Sequence, residues 1–220
     1  MTEQKKIAIL GGTGALGSGL AKRWAKAGHQ IIVGSRTADK AQEAANALPV
    51  ASGGPKAQGA TNLDAARQGD IVVLTVPFSN HNALLEEIRD VVQGKIVIDA
   101  VVPLVPPKVA VVQLPAEGSA GMIAHKMIGD KARVVAAFQN VGAAKLQADE
   151  PIACDILVTS DDQEARKVVI GLIQDIGMRG VDAGPIANSA AADAMTSLLI
   201  GINKRYKVDC AGIQITGLAG

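Results

Sequence analysis

Gly12-Thr13-Gly14-Ala15-Leu16-Gly17 has the spacing GxGxxG. It stands directly after a continuous apolar run, Ile7 to Leu10, and opens a helical pattern carried by Leu16, Leu20 and Trp24 that closes at Gly28. Glycine at those three places permits a tight turn, lets the backbone approach a pyrophosphate and turns helix-start N–H groups toward the anion. In a chain with 24 glycines the letters alone are weak, and an ordinary glycine-rich turn is the alternative. The position at a first strand-to-helix junction is what favours a dinucleotide. About 20 residues on, an NAD-preferring site carries Asp or Glu on the ribose hydroxyls. This chain has Gly34-Ser35-Arg36 there, with Lys40 one turn into the next helix. A hydroxyl and two cations suit a 2′-phosphate, so NADP(H) is expected over NAD(H), unless Arg36 and Lys40 are simply solvated charges at a helix start.

Two more segments end apolar runs where an open α/β sheet binds ligands. Thr75-Val76-Pro77-Phe78 could form a stiff wall beside a nicotinamide, or a plain strand-ending turn. Phe138-Gln139-Asn140-Val141-Gly142 is the second candidate wall: its amides and the small Gly142 could admit a flat ring, though Gln139 and Asn140 could equally cap the next helix. No side chain presents itself for acid–base catalysis. The sole tyrosine, Tyr206, has Cys210 four residues on, which excludes the Tyr–Lys pair of short-chain dehydrogenases, and no Ser-His-Asp set or acid pair is evident. Reducing a carbonyl or imine needs a proton donor. Exchange between two redox carriers needs mainly two rings at about 3 to 3.5 Å, and the chain is read as equipped for that, with no catalytic side chain expected.

The elements that must hold these residues alternate strand and helix. QIIVG from Gln30 reads as a second buried strand and Thr37 opens a helix. Asp70 to Val76 and Lys95 to Ile98 read as further buried strands around a helical stretch from Asn80 to Val92. Pro103 to Lys108 is expected to be a loop that ends the first wound half. Beyond it come strands at Val134 to Phe138 and Ile152 to Val158, a helix from Asp162 to Ile176, a short strand before Asp182, and a long apolar helix, Ala187 to Tyr206, that needs burial. Continuous apolar strands alternating with helices predict an α/β, doubly wound, mainly parallel sheet with a small C-terminal α/β extension. The expected division is residues 1–142, binding NADP, and 143–220, packed on that part.

Composition excludes other classes. The 220 residues include only 2% aromatics and carry a net charge of +1, which supplies neither stacking platforms nor a basic footprint for nucleic acid. Cys154 and Cys210 lack CxxC spacing, and His29, His81 and His125 lie far apart, so no metal site is expected. No apolar stretch reaches about 18 residues, and MTEQKK runs straight into a run too short for a signal peptide. A cytoplasmic protein without membrane or nucleic-acid partners is expected.

Several stretches together resemble the coenzyme F420-dependent NADP reductases. They are IAILGGTGALGSGLAKRWAKAGHQIIVGSR, VLTVPF, VVAAFQNV, VDAGPIANS and INKRYKVDCAGIQITGL, spread over nearly the whole chain. The resemblance implies a Rossmann-type domain and direct hydride transfer between deazaflavin C5 and nicotinamide C4. It places NADP on Thr13 to Leu16, Ser35, Arg36 and Lys40, and coenzyme F420 near Val76, Pro77, Val141 and Thr196. The chain departs from the family pattern at Gly142, where a proline is frequent, and at Ala190, where an arginine is. Lys204, Arg205 and Lys207 could attract the acidic tail of F420 or merely complete a helix end. Two rivals share the glycine loop: a small imine or keto reductase of the pyrroline-carboxylate reductase type, and a non-catalytic NADPH sensor. In each case the apolar Ala187 to Ile202 stretch allows a homodimer.

Overall fold

The computed structural model describes residues 3–218, so the extreme ends of the two expected parts and of the N-terminal MTEQKK stretch lie outside the described residues. In chain order the elements begin β1 (Lys6–Leu10), α1 (Ala15–Lys26), β2 (Gln30–Ser35), α2 (Ala38–Asn46), β3 (Gln58–Thr61), α3 (Asn62–Gln68) and β4 (Ile71–Leu74). They continue with a 3-10 turn at Phe78–Asn80, α4 (His81–Ile88), β5 (Ile96–Asp99), α5 (Ala120–Ile128), β6 (Arg133–Ala136) and α6 (Ala143–Gln147). The chain closes with β7 (Asp155–Val158), α7 (Gln163–Asp175), β8 (Arg179–Asp182), a 3-10 turn at Ile186–Asn188 and α8 (Ser189–Tyr206).

Six strands form one sheet in the order β3-β2-β1-β4-β5-β6, every pair parallel. The order reverses between β1 and β4, which opens a crevice beyond their carboxyl ends. Side-by-side registers align Gly34, Leu10, Leu74, Asp99 and Ala136 across one rim, so the loops after them emerge together. The strands are buried on both faces: Ile7, Ile9, Val33, Val73 and Ile98 serve one core layer, Ala8, Leu10, Val72, Leu74 and Val97 the other. That two-sided burial is why these runs are continuously apolar. β7 and β8 make a separate parallel pair, joined to the main sheet by an antiparallel bridge between Ala136 and Thr159, and Val158, Val169 and Leu172 share the first core layer.

The structure corrects several expectations. The Pro103–Lys108 loop does not end the first wound half but lies within the second, between β5 and β6: α5, which the sequence reading missed, follows it, and β6 then adds to the main sheet beside β5. β3 and α3 were also missed, because the strand QGAT is an edge with one buried residue rather than an apolar run. The helix expected over Asn80–Val92 stops at Ile88. The last helix was expected to be buried against the first part of the chain or against another subunit; its buried face mixes Ala192 and Leu199 with Ser189, Asp193 and Ser197, and Leu198 is 51% exposed.

Two ties from α1 hold the C-terminal part down, and a third braces it internally. Arg23 on α1 donates to the carbonyls of Lys145, Leu146, Ala148 and Glu150, satisfying the end of α6. Asp155 accepts two bonds from Arg179 and one from the Ile215 amide, and the guanidinium holds its carboxyl below the usual range. Trp24 is fully buried, meets Phe138 edge-on at 5.7 Å, and donates its indole N–H to Leu172 O at 2.9 Å, a carbonyl in the last turn of α7. Trp24→Phe keeps an aromatic ring but leaves that carbonyl without its donor, so it should cost about 1–3 kcal/mol in denaturant unfolding followed by circular dichroism.

Candidate functional site

The glycine loop is built by close backbone approach. Gly12 N donates to Gly34 O at 3.0 Å and Gly14 N to Gly11 O at 2.9 Å, folding residues 11–14 over the end of β1. Thr75 clamps the same strand from the other side, its amide and its Oγ1 both donating to Leu10 O, at 3.0 and 2.8 Å. A Cβ on Gly17 would lie 2.5 Å from Thr75 Oγ1 and 2.8 Å from Gly12 Cα, and one on Gly12 would lie 2.7 Å from Ile9 O. Glycine is therefore required at both by packing. Gly14 is the N-cap of α1 and no side chain caps that end, which leaves the first helical amides facing the crevice.

A cleft of about 730 Å³ opens there. Of the residues expected from the sequence, it is lined by Thr13, Gly14, Ser35, Arg36, Lys40, Thr75, Val76 and Pro77. Gly12 and Gly17 pack beneath it, and Ala15 and Leu16 form the first turn of α1 at its edge. Sequence reasoning missed Asn62, the first residue of α3, whose Oδ1 accepts from Gly11 N at 3.3 Å and which lines the cleft between the glycine loop and Ser35. It also missed Asn80, Ala83 and Glu87 on the α4 side. Among the described residues, Arg36 and Lys40 enter no ion pair. A backbone cradle with two unpaired cations and a hydroxyl at its far end fits a phosphorylated dinucleotide.

The second wall lies two strands along the rim. Gln139 is 5% exposed and donates Nε2 to Asp99 O at 3.0 Å. Asn140 donates Nδ2 to Ala192 O at 2.8 Å and to Thr196 Oγ1 at 3.1 Å, and Thr196 donates to Gln139 O at 2.9 Å. These amides thus clasp α8 to the end of β6, and the alternative that they cap α6 does not hold: Gly142 is the cap residue, with no side-chain bond. Val141 is buried beside them. A Cβ at Gly142 would lie 2.4 Å from the Cβ of Cys210, so the proline frequent in the family would require the Cys210 segment to move.

Beneath this wall the fold gathers three titratable groups that the sequence leaves 18 to 112 positions apart, which sequence reading missed. His81 Nε2 meets Asp99 Oδ2 at 2.9 Å, both side chains fully buried. Asp193 Oδ2 accepts from Ala120 N at 2.9 Å. Burial pushes the Asp193 carboxyl up to about 7; the Ala120 amide opposes this, the Asp99 charge adds to it and His81 opposes it. The available signal was a lone carboxylate in an otherwise apolar helical run. No cluster of His, Cys, Asp or Glu suited to a metal ion occurs among the described residues.

Sheet order, glycine cradle and cationic cleft define a Rossmann-type NADP-binding oxidoreductase. A family model described as "NADP oxidoreductase coenzyme F420-dependent" matches residues 6–103. The F420-dependent NADP reductase of Methanocaldococcus jannaschii is 42% identical over 97% of this chain and 99% of its own length. That of Methanothermobacter thermautotrophicus is 43% identical over 97% and 95%. The chain belongs to the F420-dependent NADP oxidoreductase family. A solved structure from Arthrobacter sp. FB24, described provisionally as an F420-dependent NADP reductase, superposes with a TM-score of 0.79 at 24% identity, over 96% of this chain and 99% of that one. A pyrroline-5-carboxylate reductase of Coxiella burnetii shares the fold at TM-score 0.60 and 16% identity, over 93% of this chain and 71% of that one.

Arg36→Ala should raise the dissociation constant for NADPH by about tenfold or more, the range expected on losing a charged hydrogen bond. Fluorescence titration should show NADH binding changed by less than about twofold, and equal losses for the two would overturn the 2′-phosphate assignment.

Proposed function

We infer that this chain is an NADP-dependent F420 reductase that passes a hydride directly between NADP(H) and coenzyme F420. The observation that carries it is a nucleotide cleft at the carboxyl rim of the sheet with Arg36 and Lys40 free of ion pairs, in a chain over 40% identical to enzymes of that name. When bound, the two co-substrates supply all the redox chemistry, nicotinamide C4 and deazaflavin C5 exchanging the hydride. The protein's part is placement. Gly12 to Gly17 and the start of α1 hold the pyrophosphate. Ser35, Arg36 and Lys40 take the 2′-phosphate. Thr75, Val76 and Pro77 form a rigid floor for the nicotinamide, and Gln139, Val141, Gly142 and Thr196 frame the deazaflavin side. No side chain is asked to attack or to polarise a carbonyl. Proximity supplies the rate.

The division of labour follows the chain, with residues 1–142 holding NADP and 143–220 packed on them to complete the F420 side. We place the enzyme in a reducing cytoplasm, in keeping with its two free cysteines, Cys154 and Cys210. Among the described residues, no helix is long and apolar enough to cross a membrane. Apart from Val50, the exposed large apolar side chains gather on two segments, Val105 to Leu114 and Leu198 to Leu218, which come together where a Cβ added at Gly201 would lie 3.8 Å from that of Ala110. We assign that surface to a homodimer.

Mixing the enzyme with NADPH and oxidised F420 should abolish the oxidised deazaflavin absorbance, with NADH much slower and a flavin inert. No loss at any pH, or turnover of a cyclic imine instead, overturns the reading. Analytical ultracentrifugation should show a dimer that Leu198→Glu with Ile202→Glu converts to a folded monomer, and a monomeric parent protein would refute the dimer.

A further inference from the structure

Asn62 is the first residue of α3, yet its side chain does not cap that helix. Thr61 already does so, its Oγ1 accepting from Asp64 N at 3.2 Å. Asn62 turns back over the sheet instead. Its Oδ1 accepts from Gly11 N at 3.3 Å, 51 positions earlier in the chain, and the residue is 8% exposed. Gly11 opens the glycine loop with φ of 75°, and its carbonyl accepts from Gly14 N. The loop is thus held from outside its own strand.

That bond also fixes which way the amide faces. An N–H can be met only by the carboxamide oxygen, so the NH2 group points elsewhere with both hydrogens to give. Among the described residues it donates to nothing, and Nδ2 is not one of the buried atoms left without a partner. It opens on the cleft that Asn62 lines together with Ser35, Arg36 and Lys40. Register puts it there: Thr61 pairs with Ser35 at the ends of β3 and β2, and Asn62 follows at once. Gly34 keeps the space, since a Cβ on it would lie 3.0 Å from Asn62 Oδ1. The carboxylate two residues on, Asp64, is turned away to Thr61 and Arg67.

We propose that Asn62 is a two-ended positioning residue for NADP(H): Oδ1 pins the glycine loop that takes the pyrophosphate, and Nδ2 donates to the 2′-phosphorylated ribose alongside Ser35 and Arg36. This rests on the NADP reading above. A neutral amide suits the place because it receives from Gly11 with one atom and gives to an anion with the other. A carboxylate has no donor, and an ammonium or guanidinium has no acceptor.

The test is Asn62→Asp, which keeps an oxygen for Gly11 N and exchanges the donor for a charged acceptor. Fluorescence titration should show the dissociation constant for NADPH raised about thirtyfold or more, as expected on losing a hydrogen bond to a charged group and setting a like charge beside it. NADH should bind within about threefold of wild type, because a carboxylate there can accept from an unphosphorylated ribose. Asn62→Ala removes the pin as well, and should weaken NADH by about three- to tenfold.

Asn62→Asp that leaves NADPH binding unchanged, or weakens both cofactors equally as a role confined to the fold would, overturns the donor assignment. NADH binding unchanged in Asn62→Ala overturns the pin. Wild-type enzyme that binds NADH as tightly as NADPH overturns the NADP reading itself. Should Asn62→Asp not fold, NMR of the wild-type Asn62 side-chain amide decides: its resonances should shift further with 2′,5′-ADP than with 5′-AMP, and equal shifts overturn the proposal.

Discussion

Everything at the site depends on how closely the backbone after β1 can approach its neighbours. Leu10 O accepts both donors of Thr75, Gly12 reaches back to Gly34, and Gly17 sits where no Cβ fits against Thr75. The glycine loop is thereby fixed between β2 and β4 before any ligand arrives, and the first amides of α1 are held toward the crevice. An anion that binds there pays little for ordering the loop. The cations at Arg36 and Lys40 need only reach across a preformed cleft.

The opposite end of the site is held by polar side chains. Gln139, Asn140 and Thr196 spend their hydrogen bonds on Asp99 O, Ala192 O and one another. These are buried bonds across three elements, β5, the end of β6 and α8, and they fix α8 in rotation as well as in position. The buried face of α8 is accordingly mixed, Ser189, Asp193 and Ser197 beside Ala192 and Leu199, while Leu198 and Ile202 face outward. Arg23 and Trp24 tie α6 and α7 to α1, and the Asp155–Arg179 pair binds the tail to β7 and β8, so the small C-terminal part is joined to the nucleotide part and braced within itself.

Much of this was legible in the sequence, for physical reasons. A strand buried on both faces must be apolar throughout, so β1, β2, β4, β5 and β6 announced themselves, and GxGxxG gained meaning from standing after the first of them. Ser35 and Arg36 were found by counting from the glycines. β3 was not found because an edge strand needs no apolar run, and α5 was hidden behind a proline-rich loop that was read as the end of the first wound half. The orientation of α8 could not be read, because apolar content reveals that a helix has a face to cover, not which neighbour covers it. The His81, Asp99 and Asp193 cluster left one local trace, the lone carboxylate in an apolar helical run: three elements contribute one residue each, and only the folding of the chain brings them together.

Gly142 and Cys210 show how such packing constrains descent. The two residues touch so closely that neither can grow alone, and Cys210 already occupies a left-handed backbone conformation, with φ of 56°, that favours glycine. A lineage moving between this arrangement and one with proline at the first position would pass most easily through an intermediate whose second residue had shrunk to glycine, relieving clash and torsion at once. The order of mutation is thus biased by geometry, and across homologues these two columns should vary as a pair.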